Sequence, residues 1–193
     1  IARARVSHAL CDLDLDEELK LAAAGSGDLR HIRYFNDTSA DGLEAAMAKH
    51  SPEFRNVDTA RDDTCILAFT SGTTGQPKAT MHFHRDVMAA CACWPPHVLR
   101  PVPDDVFMGT PPLAFTFGLG GLLLFPLAVG ASTVLLEKGG PQDLVDAVLK
   151  YRATILFTAP TSYRAMAVLA AQHDLASLRK CVSAGEALPG ATR

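Results

Sequence analysis
At 193 residues the chain is long enough for one large domain or two small ones with a sizeable core. Apolar residues make up 48% and charged residues 20%, which excludes a disordered or fibrous chain and fits an ordinary globular one. The formal charge of −3 argues against a broad basic footprint for nucleic acid, while leaving room for a local anion site that needs only a few donors.

The start, Ile1-Ala2-Arg3-Ala4-Arg5, has no initiator Met and no signal-peptide pattern; a processed terminus or a piece of a longer protein is expected. Asp14-Leu15-Asp16-Glu17 reads as a helix start with Asp14 as cap, and Leu15, Leu19 and Ala22 or Ala23 recur at helical spacing before Gly25. Arg30 to Phe35 is a short strand. Asp41-Gly42-Leu43-Glu44 repeats the capping pattern ahead of a helix to about His50, and Ser51 to Asp63 is a polar loop. Cys65 to Phe69 and Ala79 to Phe83 are strands on either side of a loop rich in Gly and Thr.

Arg85 to Trp94 suits a helix that Pro95-Pro96 should stop. Asp104-Asp105 punctuates the chain before a strand at Val106 to Gly109. The stretch from Pro111 to Leu136 carries no charge and is long enough for a bilayer. Glycines, Pro126, Ser132 and Thr133 interrupt it, so it reads as a buried helix, Leu119 to Val129, then a strand, Ser132 to Leu136. Leu144 with Val148 and Val145 with Leu149 define one face of a helix from Gln142 to Tyr151. Ala153 to Thr158 is a strand, Pro160 to about Gln172 a helix with Tyr163, Met166 and Ala170 in the core, and Leu178 to Ser183 a last strand. This alternation predicts an α/β fold, a layered, largely parallel sheet with helices on both faces.

The five cysteines, Cys11, Cys65, Cys91, Cys93 and Cys181, are odd in number and include no C-x-x-C pair. Neither a zinc ribbon nor a disulfide framework is indicated, and a reducing cytoplasmic setting is expected. His82 and His84 share one face of a presumed strand near Cys91 and Cys93, but the two cysteines point apart on a helix, so a metal site there is discounted.

The chemistry gathers in Thr70-Ser71-Gly72-Thr73-Thr74-Gly75-Gln76-Pro77-Lys78, nine consecutive residues. Glycines let backbone approach an anion, successive N–H groups can point at phosphate oxygens, and hydroxyls and an ammonium add donors. A plain hairpin turn with a surface lysine is the bland alternative. The run is no Walker A motif, because Gln76-Pro77 separates Gly75 from Lys78 and no Ser or Thr follows the lysine. G-x-G-x-x-G is absent too.

Phe69 to Lys78 closely resembles the phosphate-binding signature of the adenylate-forming superfamily of acyl-CoA synthetases, adenylation domains and luciferases, with Ala79 where the family usually has Gly. Pro112-Leu113-Ala114-Phe115-Thr116-Phe117-Gly118 resembles the family loop lining the acid pocket. Val182-Ser183-Ala184-Gly185-Glu186-Ala187-Leu188-Pro189 resembles the strand end and turn beside the adenine. The likeness is good over 64–193 and loose over 1–63.

This resemblance implies a ligase that activates a carboxylic acid with ATP and Mg²⁺ and passes the acyl group to a thiol, normally that of coenzyme A. It implies that Thr70, Ser71, Gly72, Thr73, Thr74, Gly75 and Lys78 hold the phosphates, that Ser183, Ala184, Gly185 and Glu186 lie on the adenine side, and that Phe115, Thr116, Phe117 and Gly118 line the acid pocket. Phe115 and Phe117 are equally readable as core residues, and Glu186 as a helix cap. No acidic residue lies between Asp105 and Glu137 to pair with a substrate ammonium, and Phe-Thr-Phe-Gly-Leu-Gly looks most like the aryl-CoA ligase branch, so a benzoate- or 2-aminobenzoate-type acid is expected. A carrier-protein thiol as acceptor and a non-catalytic nucleotide-binding remnant are the alternatives.

Family members carry, further on, a tyrosine-glycine-x-threonine-glutamate motif, a ribose-binding aspartate, a hinge and a lysine on a mobile C-terminal domain. None is in this sequence. Residues 1–193 are therefore expected to be an internal piece of the large N-terminal domain, lacking the C-terminal domain and inactive alone.

Overall fold
A computed structural model describes residues 1–70 and 78–192 of the chain. It divides into two compact units, Ile1–Ala60 with Leu67–Met81, and Arg61–Ile66 with His82–Arg193.

In the first unit, β1 (His8–Asp12) and β2 (His31–Phe35) pair in parallel, His8 opposite His31 and Asp12 opposite Phe35. Strand β1 has no counterpart in the sequence reading, since His8-Ala9-Leu10-Cys11-Asp12 offers no clean alternation of apolar and polar residues. The expected cap also shifts. Asp12, not Asp14, caps a 3₁₀ turn at Leu13–Leu15 by accepting from the Asp14 N–H at 3.1 Å. Helix α1 (Asp16–Ala23) then begins with three acidic residues in its first turn, which favours the positive end of the helix dipole. Helix α2 (Leu43–Met47) is shorter than expected. Strands β3 (Thr64–Thr70) and β4 (Lys78–Phe83) form a two-stranded sheet, of which Leu67–Thr70 and Lys78–Met81 belong to this unit.

The second unit is built on a four-stranded parallel sheet in the order β6-β5-β7-β8, formed by β5 (Val106–Gly109), β6 (Ser132–Leu135), β7 (Ile155–Thr158) and β8 (Lys180–Ser183). Its helices are α3 (His84–Trp94), α4 (Thr116–Gly118), α5 (Phe125–Val129), α6 (Pro141–Tyr151) and α7 (Pro160–Ala170). Two use an acidic residue at the third position as a clamp: Asp86 accepts from the Phe83 N–H at 2.9 Å, and Asp143 from the Gly140 N–H at 3.0 Å.

Pro95-Pro96 does not stop the helical path after α3. A π-helical turn, Pro95–Leu99, continues it to Arg100, which takes a left-handed conformation (φ 48°). The prolines sit at the start of that turn, where a missing N–H costs little. The apolar helix likewise begins earlier than its periodicity suggests, at Thr116, and passes through a π-helical segment, Leu119–Leu124, between α4 and α5.

Side-chain alternation along the central strands feeds two cores. Phe107, Ile155 and Phe157 pack with Leu99 and Leu122 on one face; Met108 and Leu156 pack with Leu144, Val145, Val148 and Met166 on the other. The β5–β6 connection thus covers the first face, and α6 and α7 the second. Connections running in opposite directions along the sheet lie on opposite faces, as right-handed crossovers require. Truncating Leu144 or Phe157 to Ala would cost about 3–5 kcal/mol. The parallel sheet with helices on both faces agrees with the expected fold class.

Candidate functional site
Strand β5 connects to β6 on one side and β7 to β8 on the other, so adjacent strands part company at their carboxyl ends. Open α/β sheets bind ligands at such a switch point. Here it is marked by two hydroxyls: Thr110 Oγ1, just after β5, lies 2.7 Å from Thr158 Oγ1 at the end of β7. Thr158 is fully buried, so the pair satisfies a hydroxyl that would otherwise be stranded. Beside it opens a cleft of about 370 Å³, lined by Thr110, Pro112, Leu113, Leu122, Leu136 and Glu137 among others. Gly139 faces the Thr110 methyl across this cleft; a Cβ there would stand 3.0 Å from Thr110 Cγ2.

Two of the sequence-derived segments leave this same sheet edge, one after β5 and one after β8, with β7 between them. In the first, Phe115 and Thr116 are exposed at the start of α4, Phe115 to 66%. Phe117 turns the other way: its ring centroid is 5.4 Å from that of Phe157, inside the core cluster. Gly118 is buried where a Cβ would collide with the carbonyl oxygens of Pro111 and Pro112. The two readings left open for this segment divide accordingly, with Phe117 in the core and Phe115 facing outward.

In the second segment Ser183 closes β8 and Gly185 adopts φ +88°, a conformation L-residues rarely take. Glu186 Oε1 accepts from Thr161 Oγ1 at 3.1 Å, in the first turn of the preceding helix, α7. A mostly apolar cavity of about 460 Å³ lies nearby, lined by Tyr163, Met166, Leu178, Cys181, Ser183 and Leu188 among others. Met166 is buried and Tyr163 half-buried, and the Tyr163 hydroxyl reaches the carbonyl oxygens of Leu156 (2.6 Å) and Val182 (3.1 Å). Burial pushes this phenol well above its ordinary range, which keeps it neutral and structural.

Of the loop residues, Thr70 and Lys78 are described: both are exposed, one ending β3 and the other opening β4, in the first unit. Ser71, Gly72, Thr73, Thr74 and Gly75 lie outside the described residues. His82 Nδ1 is 3.9 Å from an Asp86 oxygen, and His84 opens α3. Among the described residues no group of three His, Cys, Asp or Glu side chains gathers as a metal site.

Sequence reasoning missed Thr110, Thr158 and Thr161, since single threonines at strand ends and helix starts carry no pattern. It also took Asp105 for mere punctuation. Asp105 is 1% exposed at the opposite, N-terminal edge of the sheet. It accepts from the Val102 N–H (2.8 Å), from Thr154 Oγ1 (2.5 Å) and from Arg179 Nε (3.0 Å) and Nη2. Burial pushes its carboxyl upward, but these donors outweigh it and hold Asp105 below the usual carboxylate range.

A doubly wound parallel sheet with a cleft at its switch point is the architecture of a nucleotide-binding α/β protein. The AMP-binding enzyme family matches residues 1–193, and the chain belongs to that family. It is 35% identical over 164 residues to the benzoate–CoA ligase of Thauera aromatica, covering 83% of this chain and 31% of that protein. It is 31% identical over 155 residues to the anthranilate–CoA ligase of Pseudomonas aeruginosa, covering 80% and 29%. The crystal structure of the anthranilate CoA ligase AuaEII in complex with anthranoyl-AMP superposes with a TM-score of 0.85 at 32% identity, over 97% of this chain and 38% of that one. The chain spans about a third of the length of the curated relatives it matches. Among the described residues no helix is long and apolar enough to cross a membrane.

Proposed function
We propose that the full-length protein is an ATP-dependent carboxylic acid–CoA ligase acting on an aromatic acid such as benzoate or 2-aminobenzoate, with residues 1–193 forming part of its large N-terminal domain. The observation that carries this reading is the fold shared over 97% of the chain with a ligase holding anthranoyl-AMP. The five free cysteines suit a reducing cytoplasm.

In the first step a carboxylate oxygen attacks the α-phosphate of ATP, and the bond to the bridging oxygen breaks to release pyrophosphate. In the second, the thiolate of coenzyme A attacks the acyl carbon and AMP leaves with its electron pair. A carboxylate is a poor acyl donor until its oxygen becomes a good leaving group, and it is repelled by the triphosphate it must reach. Thr70, the hydroxyls and backbone N–H groups of Ser71 to Gly75, and Lys78 would offset that repulsion by gripping the β- and γ-phosphates. This donor set of hydroxyls, amides and one ammonium suits phosphate oxygens. Mg²⁺, a hard cation, would be held mainly by the phosphates themselves and would neutralise their charge. Ser183 to Glu186 take the adenine side. The exposed face of Phe115 and Thr116 serves the acid, with Gly118 fixing the loop and Phe117 anchoring it to the core. The absence of acidic residues between Asp105 and Glu137 fits an acid with no ammonium to anchor.

The test uses the full-length enzyme, pyrophosphate release with ATP, and a panel of aromatic and short-chain acids, with and without coenzyme A. Release is expected with aromatic acids, and Lys78→Ala should lower kcat/KM by about 10²-fold. If no acid supports release the ligase reading fails; an unchanged Lys78→Ala rate removes the role given to the lysine.

A further inference from the structure
The start of the parallel β1–β2 pair places two imidazoles face to face. His8 and His31 are opposite each other in register, both are exposed, and their rings stack with centroids 4.5 Å apart at 26°. The backbone beneath them is fixed: the N–H groups of Arg30 and His31 both donate to the Ser7 carbonyl, at 3.0 and 3.1 Å. The Ser7 hydroxyl lies 2.9 Å from His8 Nδ1, which occupies that ring nitrogen and leaves Nε2 as the other possible ligand. The proposed nucleotide and acid roles use neither histidine.

We propose that His8 and His31 form a two-nitrogen site for a divalent transition metal of the Cu²⁺ or Zn²⁺ class, with His8 Nε2 and one ring nitrogen of His31 as ligands and water in the remaining positions. Imidazole suits these borderline cations, and Cu²⁺ binds such donors most tightly of the divalent first-row series. Metal–nitrogen bonds of about 2.0–2.1 Å put cis-coordinated nitrogens roughly 3 Å apart. An imidazole nitrogen binds a metal in its ring plane, so both exposed rings would turn out of the 4.5 Å stack, about their own side-chain torsions, to converge on one ion. The register has already paid most of the ordering entropy, and exposure keeps the desolvation of the cation small.

The experiment is Cu²⁺ titration of the untagged full-length protein at pH 7.5 in a non-coordinating buffer, followed by calorimetry and by the nitrogen couplings in the electron paramagnetic resonance spectrum. His8→Ala, His31→Ala and the double variant are compared, with Asn replacements as a second pair should an Ala variant lose its metal-free thermal transition. The expected result is one site with two coupled nitrogens, weakened at least tenfold by either single substitution. The double variant should be little worse than each single one, because losing either ring breaks the chelate. A single variant that keeps wild-type Cu²⁺ affinity within tenfold, or a spectrum unchanged by either substitution, overturns the site. Zn²⁺ should raise the unfolding temperature of the wild type and not of the double variant; an equal rise in both counts against it.

Discussion

Arg179 Nε donates to Asp105 Oδ1 at 3.0 Å, tying the residue before β8 to the residue before β5 across the N-terminal edge of the sheet. Breaking a fully buried pair on one side costs about 3–5 kcal/mol. Arg179 is 40% exposed and Asp105 1%, so water reaches the arginine, and roughly 2 kcal/mol is expected for Arg179→Ala. The pH dependence has a definite sign. The Asp105 carboxyl is depressed in the folded state, so its stabilisation is complete above the unfolded carboxylate pKa of about 3.9 and is lost as pH falls through the folded value. Without Arg179 that folded value rises, and acid unfolding followed by circular dichroism should begin at a higher pH than in the wild type. An unchanged acid midpoint would show that Thr154 and the Val102 N–H alone hold the carboxylate.

The Thr110–Thr158 hydroxyl pair makes a second prediction, at the opposite edge. Thr158→Val keeps the shape and removes one partner of a buried hydrogen bond, for about 1 kcal/mol. Thr110 lines the 370 Å³ cleft and is half-buried, so its hydroxyl can turn to water. Thr110→Val instead strands the fully buried Thr158 hydroxyl without a partner. Chemical denaturation should therefore show Thr110→Val costing more than Thr158→Val, and a reversal of that order would contradict the burial assigned to Thr158.

Much of this was legible in the sequence, for identifiable reasons. Every strand of the four-stranded sheet was readable because Val106, Ile155 and their neighbours form short apolar runs between turn residues, and buried parallel strands have that signature. Strand β1 was illegible because His8 and Asp12 are polar residues on an exposed pairing. The π-helical turns were illegible as well, since prolines and glycines signal a stop to any local rule, yet packing of Leu99 and Leu122 holds the turns in place. The order of residues in the loop and in the two segments at the sheet edge pointed to the family to which the chain belongs. The partners of those segments, Thr110, Thr158 and Thr161, are set by tertiary neighbours and by nothing local.

Gly118→Ala tests whether the glycine of the proposed acid loop is a packing requirement. A methyl at this position meets the carbonyl oxygens of Pro111 and Pro112, both backbone atoms that cannot swing away. Overpacking of this kind costs about 1–3 kcal/mol. The unfolding temperature should fall, and activity should fall with it. A variant of wild-type stability would mean that the loop shifts freely, which would undermine its use as a rigid wall for the acid.

Arg152→Gly is expected to stabilise. Arg152 follows α6 in the left-handed region, at φ 52° and ψ 42°, where a side chain costs about 1–2 kcal/mol and glycine costs nothing sterically. Glycine gives back part of this through unfolded-chain entropy and the lost charge at the helix end. A net gain of about 0.5–1 kcal/mol should appear as a higher denaturation midpoint. A loss instead would assign the arginine side chain a contact that outweighs its backbone strain.

Glu186 can act through its charge on the nucleotide side or through its hydrogen bond to Thr161, and two substitutions separate the roles. Glu186→Gln keeps an oxygen that can accept from Thr161 Oγ1 and removes the charge; Thr161→Ala keeps the charge and removes the donor. If the carboxylate matters because it holds the turn after β8 against the first turn of α7, Thr161→Ala should raise the KM for ATP and Glu186→Gln should change it little. If its charge matters to the bound nucleotide, the order reverses. The bond joins two exposed side chains, so neither substitution should shift the unfolding midpoint by more than about 0.5 kcal/mol. We expect the Thr161 effect to be the larger, because a turn carrying Gly185 at φ +88° has no β-carbon there to restrain it, and the Glu186–Thr161 bond is the tether the structure provides one residue later. Wild-type ATP kinetics in both variants would overturn the adenine-side role proposed for Glu186.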